Sequence, residues 1–297
     1  MYIVNKNLVT EKNSEFIGAD LHVHTPASKC YEGDKNDIEY IQIIRKFYSK
    51  GIRIIAITDH NTIKGYKELI RIKQSLINKL EVLGEYVKKH KELEAEYKKI
   101  KADIDIFDSM LIIPGVEYEA KPGIHILLLF SPDTDLGKID KFLIASGYSE
   151  DTQGEENPDM ISNLDVLDVL SKSASLNAIA IGAHVDSNKG IYNKLDGSYR
   201  ANIFRSNQLV AISYNSPKTC SKIKSMLMNR EYKRDRPLAY IQCSDYHGGE
   251  EKVGACITYF KLDKLDYESF LAAFNNPNEC ISLTANPETI QIIEKTV

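Results

Sequence analysis

Several things are missing from this chain, and each absence closes a route. No run of 18 or more apolar residues occurs, so no segment is long enough to cross a bilayer as a helix. The first 13 residues, MYIVNKNLVTEKN, lack a basic region leading into an apolar core, so no secretory leader is expected. Cysteine is scarce, odd in number and scattered, at 30, 220, 243, 256 and 280 with no C-x-x-C pair. A disulfide framework is therefore not expected, and a reducing cytoplasm is the natural location. No G-x-x-x-x-G-K-[ST] stretch is present, which excludes a phosphate loop of the ATPase kind. Neither charge dominates: the net charge is -4, which argues against indiscriminate coating of nucleic acid but allows a locally basic mouth.

Histidine is also sparse, at seven in 297 residues, yet its placement is not random. His22 and His24 follow the run from Phe16 to Leu21, His60 follows Ile54 to Asp59, and His184 follows Ile179 to Ala183. Asp245 and His247 follow Leu238 to Ser244, Glu117 follows Leu111 to Val116, and His125 opens the run Ile126 to Phe130. Short runs rich in Ile and Val, without alternation, read as strands buried on both faces. A lone His at a strand end is more often a satisfied loop residue than a ligand. Six such placements with acids among them are what a cluster of divalent cations needs. The seventh, His90, lies in a different kind of segment.

Strand-like runs at about 17–23, 52–58, 111–117, 124–130, 178–184, 209–214 and 238–244 mostly alternate with helix-like segments, among them 38–49, 163–175, 217–229 and 267–275. The length allows one large α/β barrel or two modest domains, and repeated βα units with about seven strands favour the barrel. Functional groups of such a barrel gather at the C-terminal strand ends. Residues 66–107 break the rhythm: they are rich in Lys and Glu, with apolar residues at steps of three and four from Leu69 to Phe107. They read as a helical insertion, one helix or an antiparallel pair broken near Gly84 or 88–91, either packing on itself or docking a partner. The acidic stretch 149–159 reads as a surface loop, and the polar, basic stretch 186–208 as a lid-like loop beside His184.

Within Asp20-Leu21-His22-Val23-His24, alternation along a strand points both imidazoles to one side, where they can grip one ion. Asp20 either orients a ring or caps a loop. Asp245 and His247 repeat the same spacing, and Glu117 offers a carboxylate able to bridge two ions.

Together, Asp-Leu-His-Val-His-Thr-Pro-Ala-Ser (20–28), Ile-Thr-Asp-His-Asn (57–61), Gly-Val-Glu (115–117), the His125 segment, Gly-Ala-His (182–184) and Cys-Ser-Asp-Tyr-His (243–247) resemble the polymerase-and-histidinol-phosphatase (PHP) superfamily of metal-dependent phosphoesterases. The resemblance runs in order from residue 20 to 247. It implies one domain over 1–297: a distorted seven-stranded β/α, TIM-like barrel with an insertion at about 66–107. It also implies two or three divalent ions, Zn, Mn or Fe. His22, His24, Glu117 and Asp245, the catalytic set, would hold one; Glu117, His125 and His184 a second; His60 and His247 a third. Relatives often add an Asp or His after the first motif, where this chain has Lys29 and Cys30. Cys30 is either a ligand favouring zinc or a bystander to a weak or empty site, or one completed by Asp34.

The motifs look most like PHP domains associated with AAA/SMC-type ATPases, which implies such a partner and a nucleic-acid substrate, single-stranded nucleic acid among the candidates. Lys64, Lys189, Arg200 and Arg205 are the candidate phosphate-binding cations. The expected activity is hydrolysis of a phosphomonoester or phosphodiester. Two other classes stand beside it: a metal-dependent amidohydrolase, whose middle strand often carries a carboxylated Lys where this chain has Glu117, and a non-catalytic scaffold.

Overall fold

A computed structural model describes residues 15–156, 162–285 and 287. The amino-terminal stretch read above, and residues 157–159 of the acidic loop, lie outside them. The chain opens with β1 (Glu15–Val23), α1 (Asp37–Ser49), β2 (Ile52–Ile57), α2 (Lys64–Tyr86), α3 (Glu94–Asp108), β3 (Leu111–Ala120) and β4 (Ile124–Leu129). It continues with α4 (Leu136–Ala145), α5 (Val166–Ala174), β5 (Ile179–Gly182), α6 (Ile191–Lys194), α7 (Gly197–Arg205), β6 (Leu209–Ser213) and α8 (Pro217–Leu227). β7 (Ala239–Ile241), β8 (Thr258–Leu262), α9 (Tyr267–Ala273), α10 (Pro277–Cys280) and β9 (Ile281–Ser282) complete the described order.

One sheet holds the nine strands of the described residues, in the order β7-β6-β5-β4-β3-β2-β1-β8-β9, and its outer strands β7 and β9 approach each other, so the sheet curls into a nearly closed barrel. The expected seven become nine. The two additional strands lack a continuous apolar run: in β8 every second residue is half-exposed, and β9 has two residues. The sheet is also mixed: β4 pairs antiparallel with β3 and β5, and β8 antiparallel with β1 and β9. A connection of three residues, 121–123, joins β3 to β4, far short of the dozen or so a parallel crossover requires.

This reversal positions the site. Because β4 runs against its neighbours, its beginning lies at the same barrel end as the ends of β1, β2, β3, β5 and β7. His125 pairs in register with Glu119, one step beyond the Tyr118–Ile126 pair.

Apolar side chains fill two clusters. One lies inside the barrel, around Leu21, Ile54, Leu127, Ile181 and Phe260; the larger lies between the sheet and its helices. α2 and α3 form an antiparallel pair turning at 87–93, and the two pack on α1. The pair is not wholly outside the core. Leu69, Ile72 and Phe107 at its base belong to the larger cluster, whereas Val82 and Tyr86 at the tip are 58% and 52% exposed. The stretch 186–208 is two short helices, α6 and α7, rather than an open loop; Ile191, Ala201, Ile203 and Phe204 anchor them in the core. No helix among the described residues is long and apolar enough to cross a membrane.

Candidate metal centre

Backbone pairing beyond the strand ends fixes where the polar groups meet. Tyr246 bridges to Val23, with His24 N donating to Tyr246 O and Tyr246 N to His22 O. Asn61 N donates to Glu117 O, and Glu117 N to Asp59 O, which sets His60 beside Glu117. Asn61, His184 and Asp245 have φ of 52°, 25° and 53°, a region that non-glycine residues seldom adopt and that turns the chain sharply at the mouth.

His22, His24, Glu117 and Asp245 converge first. His22 Nε2 lies 3.2 Å from both Glu117 Oε2 and Asp245 Oδ1, and His24 Nε2 lies 3.1 Å from His22 Nε2, 3.3 Å from Glu117 Oε2 and 3.7 Å from Asp245 Oδ1. A tetrahedral ion with bonds of about 2.0–2.1 Å holds its ligand atoms about 3.3 Å apart, so the four atoms already span that cage. Around the other side of Glu117, His125 Nδ1 is 2.7 Å and His184 Nε2 3.0 Å from Oε1, while His60 Nδ1 is 2.9 Å from Oε2. Glu117 is thus a buried carboxylate shared by five imidazoles, with one oxygen toward each group. A third set gathers His24, Cys30, His60 and His247; Cys30 Sγ is 3.1 Å from His247 Nδ1.

Several of these atoms are buried without a hydrogen-bond partner among the described residues: both ring nitrogens of His60, His125 Nε2 and Glu117 Oε2. At 2.9 Å, His60 Nδ1 and Glu117 Oε2 are close enough to bond but wrongly aimed, as lone-pair donors turned toward cations rather than toward each other would be. The residues present therefore fit divalent metal ions.

Electrostatics agree. Burial would raise the Glu117 carboxyl, but His125, His22 and His60 hold it well below the usual range. Asp245 is likewise held down against its burial by His22, His24 and His247. Burial favours neutral His125 and His247, yet both are lifted to about 9, the first by Glu117 and Glu119, the second by Asp245 and Cys30. His24 is drawn down to about 4 by burial and by His60. Without cations, protons must balance this pocket; ions entering it would displace them.

A surrounding layer orients the rings. Ser28 Oγ donates to Asp59 Oδ1 at 2.7 Å, so it accepts from His24 Nδ1 at 3.0 Å and from the His60 backbone N at 3.2 Å. That assignment places the His24 proton on Nδ1 and leaves Nε2 free for the centre. Asp59 also accepts from Thr25 N and Oγ1, and burial pushes it up to about 6 against these bonds. Gly65 is required here, since a Cβ would fall 1.9 Å from Asp59 Oδ2. Ser187 Oγ lies 2.8 Å from His184 Nδ1 and occupies the corresponding place. Asp20 caps backbone rather than a ring: it accepts from His22 N and Ser244 N.

Of the four candidate phosphate-binding cations, the fold brings one to the centre. Lys189 Nζ pairs with Glu156 and lies 3.5 Å from Glu119 Oε1. Arg200 Nη1 instead donates to the carbonyls of Tyr192 and Leu195, bracing the α6–α7 connection. Arg205 contacts Asn202, and Lys64 reaches the carbonyl of Glu150. Glu119 and Glu156 were not singled out from the sequence. Glu119 carries a signal there, two residues from Glu117 on the same strand face; Glu156 carries none.

No known family profile matches the sequence, and no curated protein does. Among solved structures, the fold is similar to the lesion-specific endonuclease PfuEndoQ from Pyrococcus furiosus, at 16% identity over 88% of this chain and 56% of that one, with a TM-score of 0.58. It is also similar to endonuclease Q in complex with a 27-mer duplex carrying an abasic lesion at the active site, at 15% identity over 87% of this chain and 56% of that one, TM-score 0.56. The chain spans just over half the length of these two structures, and at such identity the likeness is one of fold.

Proposed function

We propose that this chain is a metal-dependent phosphoester hydrolase of the PHP type, a single domain over 1–297 with α2 and α3 as its insertion. The observation that carries the reading is Glu117, a buried carboxylate whose two oxygens face two groups of imidazoles at ligand spacing. His22, His24, Glu117 and Asp245 would hold one ion, Glu117, His125 and His184 a second, and Cys30, His60 and His247 a third, with zinc, manganese or iron as the candidate metals. Divalent ions so placed stabilise charge on a phosphoryl group and make a water more acidic. The protein's own part is orientation. Ser28 and Ser187 fix ring tautomers.

A nucleic-acid substrate is favoured over a small phosphomonoester by the likeness in fold to a lesion-specific endonuclease and to its complex with duplex DNA. An AAA/SMC-type ATPase as partner follows from the sequence resemblance, and a cytoplasmic location from the odd, scattered cysteines. The test is metal analysis of protein purified without chelator, then assay of p-nitrophenyl phosphate, cyclic nucleotides, single-stranded DNA and a duplex with an abasic site. Asp245→Ala should lose an ion and several kcal/mol of transition-state stabilisation, on the order of a thousandfold in turnover, while keeping its circular dichroism spectrum. A variant that keeps both metal and turnover would overturn the assignment.

A further inference from the structure

Beyond the ligand cluster, three buried polar atoms on its outer side have no partner among the described residues: His60 Nε2, His125 Nε2 and Glu119 Oε2. The rings of His24 and His184 turn their second nitrogen to a serine hydroxyl. Those of His60 and His125 turn it toward the mouth. If Nδ1 of each serves the centre, as its approach to Glu117 indicates, the proton sits on Nε2, and two N–H donors point outward with no acceptor at bonding distance among the described residues.

Glu156 stands in front of them. Its Oε2 is 3.8 Å from His60 Nε2 and its Oε1 3.8 Å from His125 Nε2, which lies equally far from Glu119 Oε1, and Glu156 Oε1 also pairs with Lys189 Nζ. Lys189 cannot wander. Its backbone O accepts from His125 N, its N donates to Ser187 Oγ, and its ammonium is held toward Glu119, which is 1% exposed. The chain before Glu156 is fixed as well: Gly154 N donates to His60 O and Lys29 N to Gly154 O, while a Cβ at Gly154 would fall 2.4 Å from Ala27 O. One ammonium and two imidazole N–H groups thus surround a carboxylate that stays beyond bonding distance of both rings. That is a site for a larger, more highly charged anion, filled by the protein's own acid.

We propose that Lys189, with the outward N–H groups of His60 and His125, forms the subsite for a substrate phosphate group. The Glu156 carboxylate occupies it as an internal competitor that the phosphate displaces. The assignment rests on the phosphoesterase reading and deepens it. Two charges are managed at once, since the buried Glu119 keeps the lysine in place when Glu156 leaves.

The probe is inorganic phosphate, with binding measured by titration calorimetry on the metal-loaded protein. A subsite filled about nine-tenths of the time by its own carboxylate binds about tenfold more weakly than a free one. Glu156→Gln should therefore lower the phosphate dissociation constant about tenfold, and Lys189→Met should raise it by a similar factor or more. Glu155→Gln removes the same charge one residue away and should change it less than twofold. Equal tightening in both glutamate variants would mean a general field effect and overturn the competitor role. Loss of an ion from Glu156→Gln would make Glu156 a metal ligand and overturn it too, and unchanged binding in Lys189→Met would remove the subsite. None of these readouts depends on turnover. Absence of metal uptake and hydrolysis in the parent protein would instead sink the phosphoesterase reading, whatever the phosphate titrations gave.

Discussion

The α2–α3 pair wears its charges outward: Lys79 with Glu96 at 2.5 Å, Lys98 with Glu94 at 2.6 Å and Lys101 with Asp105 at 3.1 Å, each exposed on both sides. At the barrel mouth, His22, His24, His60, Glu117 and His125 are at most 2% exposed, and each of the four imidazoles lies within 3.3 Å of a Glu117 oxygen. The same kinds of group are thus treated in opposite ways. In the helix pair, water screens each charge, and such pairs contribute little to stability. In the mouth, desolvation makes every unbalanced charge expensive, so protonation or a bound cation must settle the balance. The contrast separates charge that keeps a surface solvated from charge that is poised to hold something.

The largest test of that contrast is pH. His125 and His247 stand at about 9 in the metal-free protein, above their unfolded value of about 6.5. Their protonation stabilises the chelated protein fully below pH 6.5, and that stability is lost as pH rises toward 9. Metal binding must expel the same protons, so affinity should rise through this window, by up to about tenfold per unit for each proton displaced. His24, at about 4, titrates below it. Melting curves of chelated protein and chelator competition at pH 6.5 and 8.5 should therefore move in opposite directions. Parallel movement would mean that the imidazoles do not couple folding to metal.

A smaller effect separates the base of the helix pair from its tip. Leu69 is 1% exposed in the larger core cluster, so Leu69→Ala should cost about 2–5 kcal/mol on denaturant unfolding. Val82 is 58% exposed, and Val82→Ser should stay within about 0.5 kcal/mol. If both are silent, the pair is an appendage along its whole length.

This division was only partly legible in the sequence. The 3.6-residue seam from Leu69 to Phe107 gives helix, as one piece or a pair, but not where the core ends, because a seam that packs on itself and one that packs on a barrel have the same period. The strand-end positions of His22, His24, His60, His184 and Asp245 were readable because their runs are short and continuous. The shared position of His125 and Glu119 was not, since it depends on β4 running backward. The brief Lys121-Pro122-Gly123 link was the available clue. Glu156 approaches His60 and His125 across separations of 96 and 31 residues, and no local pattern encodes that.

The finest test lies one layer behind the mouth. Ser28 spends its proton on Asp59 and both lone pairs on His24 Nδ1 and His60 N, so its hydroxyl is fully used. Removing it leaves the His24 ring free to exchange tautomers, and only one of them presents a lone pair at Nε2. Losing such an outer partner typically weakens metal binding about 10–100-fold. Ser28→Ala should do so in chelator competition while keeping near-normal turnover at saturating metal, because no group facing the phosphoryl site has changed. Ser28→Thr, which retains the hydroxyl, should restore affinity. If the alanine variant binds metal as tightly as the parent, the strand alone aims His24. Buried polarity at the mouth would then work through its innermost residues, and the contrast with the helix pair would narrow to the ligands themselves.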